Sequence, residues 1–281
     1  SGLFFDAFHK NRGDWWTQHV SCVGHPNVSP RYVEERARRY GEDSNRYRVR
    51  VLGDFPKADD DTVIPFELVE SALHRDVEPT KVRPIWGVDC ARFGDDASCL
   101  AVRVGNTLKE PTVEWKKRDT MYLVGRLKEK WDETLPSERP SDINVDVIGI
   151  GAGVCDRLLE LGLPARGINV GESAALTTRY VNLRSELWFK GQEWLARKDC
   201  HLAGDETLAG ELVTPRYKPL SNGKLQVESK ESMKRRGVPS PNRADAFLLT
   251  LASDAIIASG EPSSARPSWT QPLKREIRGV V

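Results

Sequence analysis

Short apolar runs alternate with polar turns along the middle of the chain. Five of these runs predict strands, at Ile85–Asp89, Ser98–Val104, Thr112–Arg118, Ile143–Ile148 and Gly167–Val170. The first two runs are joined by an acidic turn that contains glycine, which predicts an antiparallel pair. The last two are short, and the mainly apolar run Ile143–Ile148 is typical of a strand buried in a core.

Apolar residues at helical spacing predict helices between and around these strands. The predicted helices are Ser29–Tyr40, Ser44–Leu52, Pro65–Leu73, Met121–Asp132, Val154–Leu161, Leu183–Ala196 and Ala244–Ala258. Ser29 and Pro30 are typical of a helix start, and Gly41 of a helix end. A further strand is predicted at Trp15–Val20, and a hairpin at Lys218–Val227 around an Asn-Gly turn.

Paired strands followed by strands that alternate with helices indicate an α/β fold with a mixed sheet flanked by helices. The 281 residues are 39% hydrophobic and 30% charged, which predicts a globular protein with a sizeable core. No apolar stretch is long enough to span a bilayer, and the five cysteines show no metal or disulfide spacing, which fits a reducing compartment. The chain begins at Ser1 without a methionine, which suggests either a piece of a longer protein or a processed one.

Three aspartates lie at the edges of predicted elements. Asp89 ends the first strand, Asp146 lies within the apolar run of the fourth, and Asp245 opens the last helix. A buried carboxylate needs a cation, an arginine or a helix N-terminus beside it. Three anchored carboxylates are what a divalent-metal site requires. The alternatives are ordinary ones: Asp89 as a turn residue paired with Arg92, and Asp245 as a helix-start acid.

The net charge of +1 excludes a uniformly basic nucleic-acid-binding protein, so any contact with DNA must be local. Two basic groups are candidates, each of which is either a phosphate contact or an ordinary charged surface: Lys116, Lys117 and Arg118, and Lys230, Lys234, Arg235 and Arg236. The histidines have no metal-ligand spacing. The glycines of residues 149–153 follow an acid instead of preceding one, so they indicate close backbone approach beside a cleft better than a dinucleotide site.

The segments around the three aspartates resemble a known family. WGVDCARFGDDAS, VDVIGIGAGVCDRL and SKESMKRRGVPSPNRADAF are similar to the three acidic segments of the nuclease domain of tailed-phage terminase large subunits. GLFFDAFHKNRGDWW and VSPRYVEERARRYGEDSNRYRVRVLGDFP resemble the end of the ATPase lobe of these proteins and its connection to the nuclease. The similarity spans residues 1–258, and the specific signal is the order and spacing of the three motifs.

This resemblance implies a ribonuclease-H-like fold and metal-dependent cleavage of concatemeric double-stranded viral DNA. By position, Asp89, Asp146 and Asp245 match the catalytic acids, and Asp95 matches an additional metal ligand. The implied chemistry is two-metal hydrolysis, in which Asp89 bridges two Mg²⁺ or Mn²⁺ ions. Asn242 stands where the family often has an acid, so one supporting carboxylate is missing. The Walker A pattern is absent, so packaging ATPase activity is not expected of this chain.

The resemblance also implies an organisation and a set of partners. The expected parts are the end of the ATPase lobe with a linker (1–80), the nuclease domain (81–258) and a flexible C-terminal tail (259–281). Expected partners are double-stranded DNA and, in the full motor, the portal protein and the small terminase subunit, with the isolated chain a monomer in the host cytoplasm. The alternatives are a non-catalytic module that docks on DNA or the portal, a resolvase-like nuclease, and an actin-like ATPase; the last needs a glycine that is missing two residues after Asp89.

Overall fold

The computed structural model describes residues 7–8, 12–42, 47–55, 61–91 and 97–253. Six strands of these residues form one sheet: β1 (Ile85–Asp89), β2 (Ala97–Val104), β3 (Thr107–Leu108), β4 (Val113–Lys116), β5 (Asp142–Asp146) and β6 (Ala165–Ile168). A separate antiparallel hairpin is formed by β7 (Tyr217–Pro219) and β8 (Leu225–Val227).

Eight α-helices of the described residues surround these strands. They are α1 (Pro30–Tyr40), α2 (Phe66–His74), α3 (Thr120–Glu133), α4 (Gly151–Glu160), α5 (Leu183–Ala196), α6 (Glu206–Leu212), α7 (Lys230–Arg235) and α8 (Asn242–Leu249). Short 3₁₀ turns lie at Arg12–Asp14 and Pro136–Glu138, and a π-helical turn lies at Arg48–Leu52. Among the described residues, none of the helices is both long enough and apolar enough to cross a membrane.

The sheet is mixed, and its strand order places the ends of several strands at one edge. The order is β3-β2-β1-β5-β6, and β4 pairs with the other end of β2. β1 runs antiparallel to β2, with Asp89 opposite Cys99, and parallel to β5. β1, β5 and β6 therefore finish at the same edge, where β2 begins at Ala97 and β4 finishes at Lys116. This edge is called the upper edge below.

Helices cover both faces of the sheet, as the sequence predicted. On one face, α3 and α4 pack Leu127 and Leu158 against Trp86 and Val88 of β1. On the other face, α5, α6 and α8 form a larger core that includes Phe247. Strand residues alternate between faces, so Asp89 points to the same side as Gly87, toward α8.

The contact between β1 and α8 depends on Gly87. A Cβ atom at this position would lie 2.0 Å from the carbonyl oxygen of Ala246, which no real pair of atoms tolerates. The backbone of α8 therefore lies directly on β1. Because Asp245 precedes Ala246, this close approach also brings the first turn of α8 beside the end of β1.

Most predicted elements are confirmed, and the exceptions have identifiable causes. No strand forms at Trp15–Val20: Trp16 is 85% exposed, and this segment reaches no strand edge of the described sheets. The last helix ends at Leu249 instead of Ala258, and residues 254–281 lie outside the described part. The helices α6 and α7 were not predicted, since six or seven residues are too few to show a helical period.

Residues 63–73 belong to the main core. Val63 and Ile64 are fully buried, and they pack with α2 against residues of α5 and α8. The division between residues 80 and 81 stays a prediction.

Candidate metal centre

Three carboxylates predicted from the sequence line one pocket at the upper edge of the sheet. Asp89 comes from the end of β1, Asp146 from the end of β5, and Asp245 from the first turn of α8. The pocket has a volume of about 300 Å³. Asp89 is the most enclosed of the three, at 4% exposure. The fold thus brings together acids that lie far apart along the chain.

Lys230 lies between two of these carboxylates. Its Nζ atom is 3.1 Å from Asp89 Oδ2 and 3.1 Å from Asp245 Oδ2. The side chain comes from the first residue of α7, whose start is fixed by Ser229 Oγ accepting the amide of Ser232 at 3.2 Å. The ammonium group therefore acts as an internal cation inside the acidic pocket.

The pKa values of the two carboxylates that contact Lys230 are shifted in opposite directions. Burial raises the pKa of Asp89, and Asp245 and Asp146 add to the increase, so that Lys230 offsets it only in part. Burial also acts to raise the pKa of Asp245, but Lys230 and Arg184 outweigh it and hold this pKa below its usual value. Burial acts to lower the pKa of Lys230, but the two carboxylates raise it by more. The net pKa lies above the usual value, so the ammonium group stays charged.

Asp245 is oriented by two residues of α5 that sequence reasoning missed. Trp188 Nε1 donates a hydrogen bond to Asp245 Oδ1 at 3.2 Å, and Arg184 Nη2 lies 3.6 Å from the same oxygen. Arg184 is itself fixed by a hydrogen bond of 2.6 Å to the carbonyl of Glu228. The four-residue spacing places both side chains on one face of α5, but only the contact between α5 and α8 shows what that face meets.

Asp146 is held by the turn that follows β5. Its Oδ1 accepts the amide of Ile148 at 3.0 Å, and burial raises the pKa of Asp146 in spite of this hydrogen bond. A Cβ atom at Gly151 would lie 1.7 Å from the carbonyl oxygen of Asp146, so only glycine allows α4 to begin here. The predicted close backbone approach is thus confirmed for Gly151, whereas a Cβ atom at Gly149 or Gly153 would meet no atom within 4 Å.

The start of α8 is also fixed by a buried carboxylate. Glu211 Oε2 accepts the amides of Arg243 at 2.7 Å and Ala244 at 3.0 Å. Burial raises the pKa of Glu211 to about 8, although both amide hydrogen bonds act to lower it. Since Asp245 is the next residue along the helix, Glu211 and its helix α6 set the position of the third acid of the pocket.

Asn242 lies beside the carboxylates, where the resemblance leads one to expect an acid. In the amide orientation that satisfies its neighbours, its nitrogen donates to Asp89 Oδ2 at 3.3 Å and its oxygen accepts from the amide of Ala97 at 3.2 Å. The side chain thus joins α8 to β1 and β2. A neutral amide here makes this contact without adding a negative charge.

The donor set of the pocket fits a divalent cation. Carboxylate oxygens are the ligands that Mg²⁺ and Mn²⁺ prefer, and the Lys230 ammonium already takes the place of a cation between Asp89 and Asp245. Asp245 Oδ2 is buried and accepts no hydrogen bond of good geometry from a described residue. Among described side chains, no three acids, histidines or cysteines stand at metal-ligand spacing.

The remaining predicted residues are placed as follows. Asp95 falls outside the described residues. Lys234 and Arg235 are exposed on α7, while Arg236, just beyond it, forms an ion pair of 2.8 Å with Glu228. Their contact with DNA stays a prediction, as does that of Lys230. Cys90 also lines the pocket, and burial raises the pKa of its thiol.

A mixed sheet flanked by helices, with acids gathered where β1 and β5 end, defines a ribonuclease-H-like α/β domain. Comparison with known proteins makes the assignment more specific. The chain is similar to a probable large terminase subunit of Enterobacteria phage P7, with 24% identity over 279 residues that cover 91% of this chain and 56% of that relative. The resemblance to terminase large subunits that the sequence predicted is thereby confirmed.

Solved structures show the same fold. A lysine-to-alanine mutant of the nuclease domain of the large terminase subunit gp2 of bacterial virus Sf6, with manganese, matches with a TM-score of 0.57 and 21% identity, covering 69% of this chain and 99% of that domain. The large terminase nuclease of thermophilic phage G20c, with bound magnesium, matches with a TM-score of 0.50 and 15% identity, covering 69% of this chain and 97% of that one. No family model matches the chain. The chain spans 56% of the length of the curated relative that it matches.

Proposed function

We propose that this chain is a metal-dependent endonuclease that cleaves concatemeric double-stranded DNA during viral genome packaging. The observation that carries the proposal is the convergence of Asp89, Asp146 and Asp245 on one pocket at the edge of the sheet. The similarity to a probable large terminase subunit supports the biological setting. Metal ions bound in the related nuclease structures support the dependence on a divalent cation.

The proposed metal ligands follow from the positions of the three acids. Asp89 ends β1, which lies between β2 and β5 in the sheet, and it would contact two Mg²⁺ or Mn²⁺ ions. Asp146 and Asp245 would each hold one of these ions. Asp95 is a further proposed ligand. When bound, such ions lower the pKa of an attacking water and stabilise the charge on the leaving oxygen. Trp188 and Arg184 keep the Asp245 carboxylate oriented toward the pocket throughout.

Lys230 has two proposed roles. Without metal, its ammonium partly neutralises Asp89 and Asp245 and so reduces the repulsion between these buried acids. Because the same oxygens are the proposed ligands, its side chain must leave them when a cation binds. The lysine side chain is 32% exposed, so it has room to turn toward the mouth of the pocket, where a DNA phosphate would accept its hydrogen bond.

The first test is Mn²⁺-dependent cleavage of plasmid DNA by purified variants. Asp89→Asn, Asp146→Asn and Asp245→Asn each remove a charged ligand, so we expect each to lower the cleavage rate by at least about 100-fold. Asparagine preserves the side-chain volume, which limits the structural effect. The rate of nicking and linearisation is measured on gels, with EDTA as the metal-free reference.

The matched control is Asp156→Asn, because Asp156 is an exposed acid on α4 that does not line the pocket. It should cut at the wild-type rate. Equal activity of the control and the three pocket variants would contradict the proposed site. A wild-type chain that binds metal and DNA but never cuts would instead support the second candidate function, a docking module of the motor.

The wider setting is also part of the proposal. In the full motor, the portal protein and the small terminase subunit are the proposed partners, in the host cytoplasm, and the isolated chain is proposed to be a monomer. The near-neutral net charge of +1 predicts weak and sequence-independent DNA binding by the chain alone. Other parts of the motor would then deliver the DNA to this pocket.

A further inference from the structure

A run of basic residues lies at the upper edge of the sheet, on the same edge as the carboxylates. Lys116 ends β4 and pairs with Ala97, the first residue of β2, and β2 in turn pairs with β1. Lys117 and Arg118 continue beyond the strand. The run is therefore two strand spacings, about 10 Å, from the strand end that carries Asp89. Along the axis of a DNA duplex this distance corresponds to the rise of about three base pairs.

The local backbone presents these side chains to solvent. Lys117 has a φ of 53°, the left-handed conformation that a residue with a side chain adopts only rarely. This residue turns the chain from β4 into α3, whose start is fixed by the Asp119 side chain accepting the Tyr122 amide at 2.7 Å. The Arg118 guanidinium lies 4.8 Å from the centre of the Tyr122 ring, which holds it at the surface. All three basic residues are exposed.

Acids of the described residues neutralise this run very little. Lys116 Nζ lies 3.4 Å from Glu114 Oε1, but Glu114 also pairs with Arg243 at 2.8 Å. No described carboxylate forms an ion pair with Lys117 or Arg118. A surface cation without a partner is common, but here two stand beside a pocket with three carboxylates, which would repel an approaching phosphate.

We propose that Lys116, Lys117 and Arg118 hold the phosphates of the DNA strand that leads into the metal pocket, as a positioning surface. This inference rests on the proposed nuclease function and adds to it the path of the substrate. The partner is double-stranded DNA bound through its backbone, because lysine and arginine at this spacing recognise charge and carry no information about base sequence. The path crosses the end of β2 toward Asp89.

The test compares two double variants that remove the same charges. Lys117→Ala with Arg118→Ala removes two of the three cations of the positioning surface. Arg197→Ala with Lys198→Ala is the matched control, because these residues are also exposed and Lys198 also has a left-handed φ, of 62°. The control pair lies at the end of α5, close to the opposite edge of the sheet, where Asn106 contacts the carbonyl of Asp199.

Binding of a short labelled duplex is measured by fluorescence anisotropy between 50 and 200 mM salt, with Ca²⁺ in place of Mn²⁺. We expect the first variant to bind about tenfold more weakly, and the slope of log K against log salt to be smaller by about 2, as for the loss of two phosphate contacts. Binding by the control should stay within about twofold of wild type. A charge-preserving variant, Lys117→Arg with Arg118→Lys, should restore the salt slope.

Mn²⁺ binding, followed by calorimetry, separates this inference from the proposed function. The expected result is unchanged metal affinity in every variant, with weaker DNA binding in the first one alone. If the wild type binds and cuts DNA while both double variants bind equally well or equally poorly, the positioning surface is refuted and the nuclease proposal stands. If the wild type neither binds nor cuts DNA with Mn²⁺, the nuclease proposal fails, and this inference fails with it.

Discussion

At the scale of single residues, the pocket is organised around one shared cation. Lys230 contacts Asp89 and Asp245 at equal distances of 3.1 Å, and each carboxylate has further neighbours that fix its direction. An ion pair enclosed in this way contributes little net stability, but removal of one partner leaves buried charges uncompensated. The main effect of the lysine is therefore to compete with any other cation for the position between the two acids.

Replacement of Lys230 by alanine tests this competition. Lys230→Ala should raise the affinity for Mn²⁺ by about tenfold or more, because the ion no longer displaces an ammonium group. In the absence of metal the same variant should melt at a lower temperature, since two buried carboxylates lose their partner. Calorimetric titration with Mn²⁺ and thermal unfolding in EDTA measure the two effects.

The control for this experiment is Lys234→Ala, an exposed lysine on the same helix. It should not change the metal affinity by a measurable amount. Unchanged or weaker Mn²⁺ binding in Lys230→Ala would show that the lysine does not occupy the metal position. Unchanged Mn²⁺ binding is also the result expected if Lys230 only contacts DNA.

At the scale of elements, the position of α8 decides whether the site exists. This helix lies against β1 because Gly87 has no side chain, and its start is held by Glu211 of α6. The sequence predicted the helix and its acid, but nothing in the residues around Asp245 indicates which strand the helix crosses. The two contacts that settle this come from residues that lie 158 and 34 positions away from Asp245 (245 − 87 and 245 − 211).

Substitution of Gly87 by alanine tests the close contact between β1 and α8. The added methyl group would overlap the Ala246 carbonyl, so α8 must shift, and we expect a loss of about 1–3 kcal/mol in the free energy of unfolding. Because Asp245 moves with the helix, Mn²⁺ affinity should fall as well. Chemical denaturation and metal titration report the two changes.

Gly125→Ala is the control, and for this variant we expect a gain in stability instead of a loss. Gly125 lies within α3, and a Cβ atom there meets no other atom within 4 Å. Alanine in place of a helical glycine should stabilise the fold by about 0.5–1 kcal/mol and leave metal binding unchanged. If both glycine substitutions changed the free energy of unfolding and the Mn²⁺ affinity equally, the close contact between β1 and α8 would not be what holds Asp245 in place.

At the scale of the whole molecule, packing of the two hydrophobic cores brings together three carboxylates from separate elements. The carboxylates themselves add nothing to this packing. Burial and, to a smaller extent, their mutual repulsion raise the pKa of Asp89 and Asp146, so keeping these carboxylates charged costs free energy in the folded state. A bound cation would remove this cost. Stability of the fold and occupancy of the proposed site are therefore linked.

Metal binding should consequently raise the melting temperature. A cation that binds only the folded chain adds about 2.7 kcal/mol of stability when its free concentration is 100 times its dissociation constant. We expect Mn²⁺ to produce a clear upward shift in calorimetric scans, and Asp89→Asn to remove most of it. A wild-type melting curve that does not respond to millimolar Mn²⁺ would count against a metal site in this pocket.

The sequence by itself determined which residues form most of the strands and helices, since the apolar spacing of segments such as Leu183–Ala196 belongs to the segment alone. It also determined the three candidate acids, because a carboxylate at the edge of an apolar run requires a partner wherever it lies. It left open what that partner is, and short helices such as Lys230–Arg235 carry too few residues to show their period.

Only the tertiary structure decided which groups meet. It placed Lys230 between Asp89 and Asp245 and brought Trp188 to the same carboxylate, and it put the basic run of Lys116 on the edge that holds the acids. The physical reason is that strand order and helix crossing depend on packing between distant residues, and local patterns do not contain these distances. The acids could be read from the chain, whereas the cation that they share could not.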